Sequence, residues 1–257
     1  MRGWWREISG LVLPADCAGC GAARAVLCAD CRGGLDGSGA GPVRPASRRP
    51  GAGWGPTGLP VVYAAAPYEG AVRAVVLAHK ERGALPLAGP LGGALAAAVR
   101  RSGAGRPGEL LLVPAPSARR AVRARGHDPA RRIALAASAR LRRAGTAARV
   151  ASVLRQRRPV EDQAGLGARQ RLENLSGALE VRRGGAELTA GARIVLVDDV
   201  ITTGATLAEA ARALREAGLR VEGAAVVAAP GDSFVRLSAG AFVRNRSGTR
   251  TDQGSCE

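Results

Sequence analysis

Val197-Asp198-Asp199-Val200-Ile201-Thr202-Thr203-Gly204-Ala205-Thr206 is the stretch that decides the fold. Residues 194–197 are an unbroken β-branched and leucine run, as suits a buried parallel strand. Beyond the loop, Leu207, Ala210, Ala211 and Leu214 recur at helical spacing until Gly218, so 206–217 reads as a helix. Residues 221–228 supply the next strand, and the three elements together make a right-handed βαβ unit of a parallel sheet. The loop between strand and helix carries the chemistry. Backbone N–H groups entering a helix N-terminus, with the hydroxyls of Thr202, Thr203 and Thr206 beside them, form a site for a phosphate monoester, and Gly204 lets the backbone approach closely. Asp198 and Asp199 at the strand end suit a ribose, because carboxylates accept hydrogen bonds from vicinal hydroxyls. A phosphate at one end and a ribose at the other describe a ribose 5-phosphate group. The loop has neither the Gly-Lys-Ser/Thr of a Walker A motif nor Gly-x-Gly-x-x-Gly, which excludes nucleotide hydrolysis by that route. An ordinary strand, turn and helix with a capping threonine is the bland alternative.

Upstream the same alternation continues. An apolar strand is expected over 61–66, helices over 70–79 and 87–101, and a buried strand over 110–113 cut off by Pro114 and Pro116. Asp128 offers an N-cap with Pro129 at the first helical position, so 130–143 is predicted to be a helix with Ile133, Ala137 and Leu141 toward the core. Residues 148–154 read as another strand. Polar 155–177, with Pro159, Gly165 and Gly167 and no sustained period, reads as a long mobile loop. The expected organisation is a cysteine module over 1–35, a Gly/Pro-rich linker over 36–60, one α/β domain over 61–230, and a tail over 231–257 that is disordered toward its end. At 257 residues and 46% hydrophobic, one sizeable α/β core with a small appended module is the natural reading. No apolar run approaches bilayer length and the N-terminus lacks a signal pattern, so a cytoplasmic chain with no membrane partner is expected.

The loop resembles the phosphoribosyl-diphosphate (PRPP) motif of type I phosphoribosyltransferases: four apolar residues, two acids, two apolar residues, then Thr-Thr-Gly-x-Thr. Reading outward, the chain resembles the ComF family of competence-associated phosphoribosyltransferase-like proteins from about residue 10 to residue 229. The motifs that carry the likeness are Cys17-x-x-Cys20, Cys28-x-x-Cys31, Tyr68-Glu69-Gly70-x-Val72-Arg73, His79-Lys80-x-Arg82-Gly83, Val113-Pro114-Ala115-Pro116, Arg123-x-Arg125-Gly126, Gln163-Ala164-Gly165-Leu166 and Arg171-Leu172-x-Asn174. The resemblance implies a type I phosphoribosyltransferase fold and a PRPP site of Asp198, Asp199, Thr202, Thr203, Gly204, Ala205 and Thr206. It further implies a diphosphate loop containing Ala115, Pro116 and Ser117, and a flexible loop carrying Gln163 and Arg171 that closes over the site. Mg²⁺ would accompany the diphosphate. The chain departs from the family at Gly126-His127-Asp128-Pro129, where Gly-Phe-Asn-Gln is common. His127 is open to a general-base or a structural reading, and Lys80 and Arg82 to phosphate contact or a solvated helix end.

Cys17-x-x-Cys20 and Cys28-x-x-Cys31 place two chelating pairs on two short turns, as a structural Zn²⁺ site of four thiolates requires. Paired disulfides are the alternative, disfavoured in a cytoplasmic chain. Four protein ligands leave no open position for catalysis, and Cys256 sits alone.

The formal charge of +17 suits a polyanion partner, yet Lys80 is the single lysine and the Ala/Gly/Arg richness also fits composition drift. Residues 119–158 hold thirteen arginines against one acid, Asp128, which makes them the candidate electropositive face. Three functions follow: phosphoribosyl transfer to an acceptor the sequence does not name, single-stranded DNA binding in competence-type uptake, and PRPP-responsive regulation. At 3% aromatic, the chain has too few rings for an extended base-stacking platform.

Overall fold

The structure, a computed structural model, describes residues 16–45, 56–103, 108–158, 168–189 and 191–235. Its centre is a six-stranded sheet in the order β1-β2-β8-β7-β3-β4. The strands are β1 (Gly41–Val43), β2 (Val62–Pro67), β3 (Leu110–Pro114), β4 (Ala148–Val150), β7 (Arg193–Val200) and β8 (Val221–Ala229). Five run parallel, and only the edge strand β1 is antiparallel, to β2. A two-residue alternation sorts the strand side chains between two cores. Leu110, Leu112, Val195, Val197, Ala225 and Val227 face one side, while Leu111, Val113, Ile194, Leu196, Ala224 and Val226 face the other.

The first side is covered by α2 (Gly70–Glu81), α3 (Ala88–Arg101) and α5 (Pro129–Arg143), through Val75, Leu91, Leu95, Val99, Ile133 and Leu141. Each fully buried leucine among them contributes about 1.5–3 kcal/mol of transfer free energy. Helices α3 and α5 approach so closely that a Cβ at Gly92 would lie 2.4 Å from Ala136 Cβ and 2.8 Å from Ala137 N. The other side is covered by α8 (Ala205–Glu216), through Leu207, Ala211 and Leu214. The result is a three-layer α/β/α domain.

Helix α5 starts where the sequence places it. The Asp128 side chain accepts the N–H of Arg131 at 3.1 Å, and Pro129 occupies the first helical position, where it forfeits no hydrogen bond.

Three expectations need correction. The segment 36–60 is not all linker, because Gly41–Val43 pairs with β2 in the register Gly41↔Ala64 to Val43↔Val62. Proline at position 42 is tolerated because the strand is an edge. The strand expected over 148–154 is two: β4 ends at Val150, and β5 (Leu154–Gln156) leaves the main sheet to pair antiparallel with β6 (Leu179–Val181). The loop expected over 155–177 accordingly begins as strand and contains α6 (Ala168–Leu175). Beyond Pro230 the chain keeps order to residue 235, where Arg44 N–H bonds Ser233 O and Val235 N–H bonds Pro42 O. The rest of the expected tail lies outside the described residues.

The described residues also form three short helices, α1 (Ala29–Gly33), α4 (Arg119–Arg125) and α7 (Gly185–Thr189). No helix among the described residues is long and apolar enough to cross a membrane.

Candidate functional site

Chain order reverses between β7 and β3. From β7 the chain crosses through α8 to β8 on one side, whereas from β3 it crosses through α5 to β4 on the other. In open parallel sheets such a switch point opens a crevice beyond the carboxyl strand ends, where ligands bind. The two loops flanking this crevice are the ones singled out in the sequence, residues 201–204 after β7 and 115–118 after β3. The loop after β3 is tied to β7 by the Ala115 N–H, which bonds Val197 O at 2.9 Å.

Asp198 and Asp199 stand at the end of β7. The backbone folds onto them: Asp199 N–H donates to Asp198 Oδ1 at 2.8 Å and Val200 N–H to Asp199 Oδ1 at 2.7 Å. Asp199 is 3% exposed. Its Oδ2 faces the Lys80 ammonium at 2.7 Å. Burial, reinforced by the neighbouring Asp199 charge, pushes the Asp198 carboxyl up to about 8, against the pull of Lys80. Burial pulls the Lys80 ammonium down, but Asp199 and Asp198 outweigh it and hold the group above an ordinary lysine. Gly204 caps α8 in the left-handed conformation, φ 76°, and Thr203 Oγ1 accepts the Ala205 N–H at 3.3 Å. A Cβ at Gly204 would sit 3.0 Å from Leu59. Thr202 is exposed and Thr206 half-buried on the first turn. The seven residues read as a PRPP site thus form one contiguous turn at the crevice.

The diphosphate trio is narrower than expected in donors. Ala115 has spent its N–H on Val197, and Pro116 has none. Ser117, with its N–H and hydroxyl, is the donor that remains of the three. It lines a cleft of about 390 Å³ together with Pro116, Arg123, Arg131, Arg155 and Arg182. Of the flexible-loop pair, Gln163 lies outside the described residues and Arg171 falls on α6.

His127 reads as a brace. It is 8% exposed, with Nδ1 3.1 Å from Arg125 O and Nε2 3.1 Å from His79 O, and its ring packs edge-on to His79 at 5.5 Å. Arg82 bonds Ala74 O at 3.4 Å, on its own helix. Part of the basic segment 119–158 is engaged within the protein. Arg125, Arg149 and Arg155 pair with Glu81, Glu109 and Glu180. Arg142 turns inward to Ser138 Oγ at 2.6 Å and Ala148 O at 2.9 Å. The Lys80–Asp199 pair went unseen in the sequence because its members lie far apart along the chain.

The four sulfur atoms of Cys17, Cys20, Cys28 and Cys31 lie within 4.8 Å of one another, and Cys20 Sγ and Cys28 Sγ are 3.6 Å apart. Tetrahedral Zn–S bonds put sulfurs about 3.8 Å apart, so the cluster fits a zinc site. All four cysteines are free of disulfides. The Cys28 N–H donates to Cys17 Sγ at 3.3 Å, and such backbone donation draws the Cys17 thiol down to about 6.

Residues 136–245 match the phosphoribosyl transferase domain family. The chain is 54% identical over 56 residues to an adenine phosphoribosyltransferase of Mycobacterium avium (strain 104), covering 22% of this chain and 31% of that protein. It is likewise 54% identical over 56 residues to that of Nocardia farcinica (strain IFM 10152), covering 29% of it. With that of Mycolicibacterium smegmatis (strain ATCC 700084 / mc(2)155) it shares 46% identity over 61 residues, 24% of this chain and 33% of the relative. The chain therefore spans about a third of the length of these relatives.

Proposed function

We propose that this chain binds PRPP with Mg²⁺ and transfers its phosphoribosyl group to an acceptor, as a ComF-type phosphoribosyltransferase working in the cytoplasm. The observation that carries the reading is that the Asp198–Thr206 turn and the loop of Ser117 follow the adjacent strands β7 and β3, where the parallel sheet switches direction. The match of residues 136–245 to the phosphoribosyl transferase domain supports it independently.

In this reading the N-terminus of α8 receives the 5-phosphate on the backbone N–H groups of the turn, with the threonine hydroxyls beside it. The Asp198–Asp199 pair faces the ribose hydroxyls, with Asp198 as the acceptor and the buried Asp199 behind it. Ser117 donates to the diphosphate, and the segment carrying Gln163 and Arg171 covers the cleft and excludes water as the C1–O bond breaks. Mg²⁺, when bound with the ligand, supplies positive charge to the departing diphosphate. The carbon centre, oxocarbenium-like in the transition state, is captured by a nucleophilic nitrogen or oxygen of the acceptor. The four-cysteine module, residues 1–35 in the expected division, holds a structural zinc ion. PRPP consumption in the presence of candidate bases and amines, followed by diphosphate release, tests the transferase reading.

A second reading is single-stranded DNA binding. It is favoured by one observation, the exposed Arg123 and Arg131 side chains that converge on the cleft beside Ser117. PRPP-responsive regulation would use the same turn without turnover.

A further inference from the structure

We propose that Lys80 is a positioning residue of the ribose site, fixing the Asp199 carboxylate and neutralising its charge so that Asp198 beside it is free to engage the ligand. The inference rests on the ribose 5-phosphate reading of the turn.

Asp199 is nearly inaccessible, and a buried carboxylate persists only with a counter-charge and hydrogen bonds on its oxygens. The structure supplies the counter-charge and a hydrogen bond on one oxygen. Val200 N–H occupies Oδ1, and the Lys80 ammonium stands 2.7 Å from Oδ2. Without the ammonium, two adjacent carboxylates would face each other with no cation between them and the sheet. Among the described residues no protein donor reaches the second oxygen of Asp198, and the residue is half-buried at the end of β7. The two acids thus divide the work: one is held, the other presented.

Lys80 is well placed to hold. It lies in the last turn of α2, and its two neighbours are both anchored. His79 is buried and carries its backbone oxygen to His127. Glu81 makes a two-point pair with Arg125, 2.8 Å at each oxygen. Val72, Val75 and Val76 of α2 belong to the same apolar cluster as Cys17, Leu27, Cys31 and Leu35 of the cysteine module. Arg125 also acts on Lys80, and its charge is paired with Glu81. A lysine on so fixed a helix acts as a post, reaching the ligand only through Asp199.

A double-mutant cycle read by calorimetric titration of PRPP with Mg²⁺ tests this. Lys80→Met should weaken PRPP binding roughly 10- to 100-fold, the loss expected of one charge-assisted contact. Lys80→Arg should recover most of it. In an Asp199→Asn background, Lys80→Met should change affinity less than about threefold, because the post then has nothing to hold. Unchanged affinity in Lys80→Met overturns the inference, as does a full additional loss in the Asp199→Asn background, which would place the ammonium on the ligand itself. Failure of the parent protein to bind PRPP would remove the underlying reading and the inference with it. Parent binding with an indifferent Lys80 removes the inference alone.

Discussion

Glu209 on α8 accepts the backbone N–H of Leu179 in β6 at 2.9 Å. Arg212, one turn on, donates to Leu179 O at 3.0 Å and to both Glu209 oxygens at 2.7 Å. One residue of the β5–β6 hairpin is therefore held at both backbone polar groups by the helix that begins at the phosphate turn. The hairpin frames residues 157–178, so the segment proposed to cover the cleft is rooted on the helix that would bind the phosphate.

Glu209→Ala should lower stability by about 1–3 kcal/mol, because the Leu179 N–H loses its partner away from solvent and Arg212 loses one of its two acids. Burial pushes the Glu209 carboxyl up, but Arg212 and the Leu179 N–H outweigh it and hold it below the ordinary range. The pair's contribution is therefore complete above the unfolded glutamate value of 4.5 and is lost as pH falls through the lower folded value. Thermal unfolding of parent and Glu209→Gln at pH 7 and again below pH 4 checks this. The gap between them should shrink in acid.

Asp198 has the opposite sign. Its folded carboxyl is raised from 3.8 to about 8, so the bound proton stabilises the fold fully below the lower value and that stability is lost as pH rises to the upper one. Asp198→Asn carries no such proton. The midpoint difference, variant minus parent, should be more positive at pH 9 than at pH 5, and an equal difference at both would refute the assignment.

The cysteine module should hold about one zinc per chain, since four thiolates fill a tetrahedral shell. Cys17→Ser or Cys31→Ser should release it. A sequence reading treats the module as separable, but Cys17, Leu27, Cys31 and Leu35 share one apolar cluster with Val72, Val75 and Val76 of α2. Metal loss should therefore also lower the unfolding midpoint of the α/β domain. Metal analysis with calorimetric unfolding reads both, and zinc-free protein with disulfides by mass spectrometry would contradict the site.

What the sequence made legible was whatever repeats over a full element. The strand expected over 194–197 and helix over 206–217 are β7 and α8, and Asp128-Pro129 marks the start of α5 as drawn. The elements that escaped are too short to show a period. β1, β5 and β6 have three residues each, and β1 sits in a Gly/Pro-rich stretch where composition argues for a linker. The turn Asp198–Thr206 was readable because its chemistry is local, whereas Lys80 and Glu209 matter through partners that only the tertiary fold brings near.

Single-stranded DNA binding, if the second reading holds, should show a log–log salt slope of about −0.7 per phosphate neutralised. Reversing Arg142 is a poor probe, because its guanidinium bonds Ser138 and Ala148 and its loss would loosen α5 from β4. Arg123→Glu with Arg131→Glu, at the cleft, should flatten the slope. No binding even at low salt would remove this reading and return the net charge to composition.

Calorimetric titration of PRPP with Mg²⁺ into the parent and into Asp198→Asn/Asp199→Asn tests the central claim most directly. The parent should bind, and the double variant should keep its fold while losing about 1.5–3 kcal/mol of binding, the worth of one charged acceptor. A parent that does not bind PRPP, or a double variant that binds it as tightly as the parent, would contradict the account.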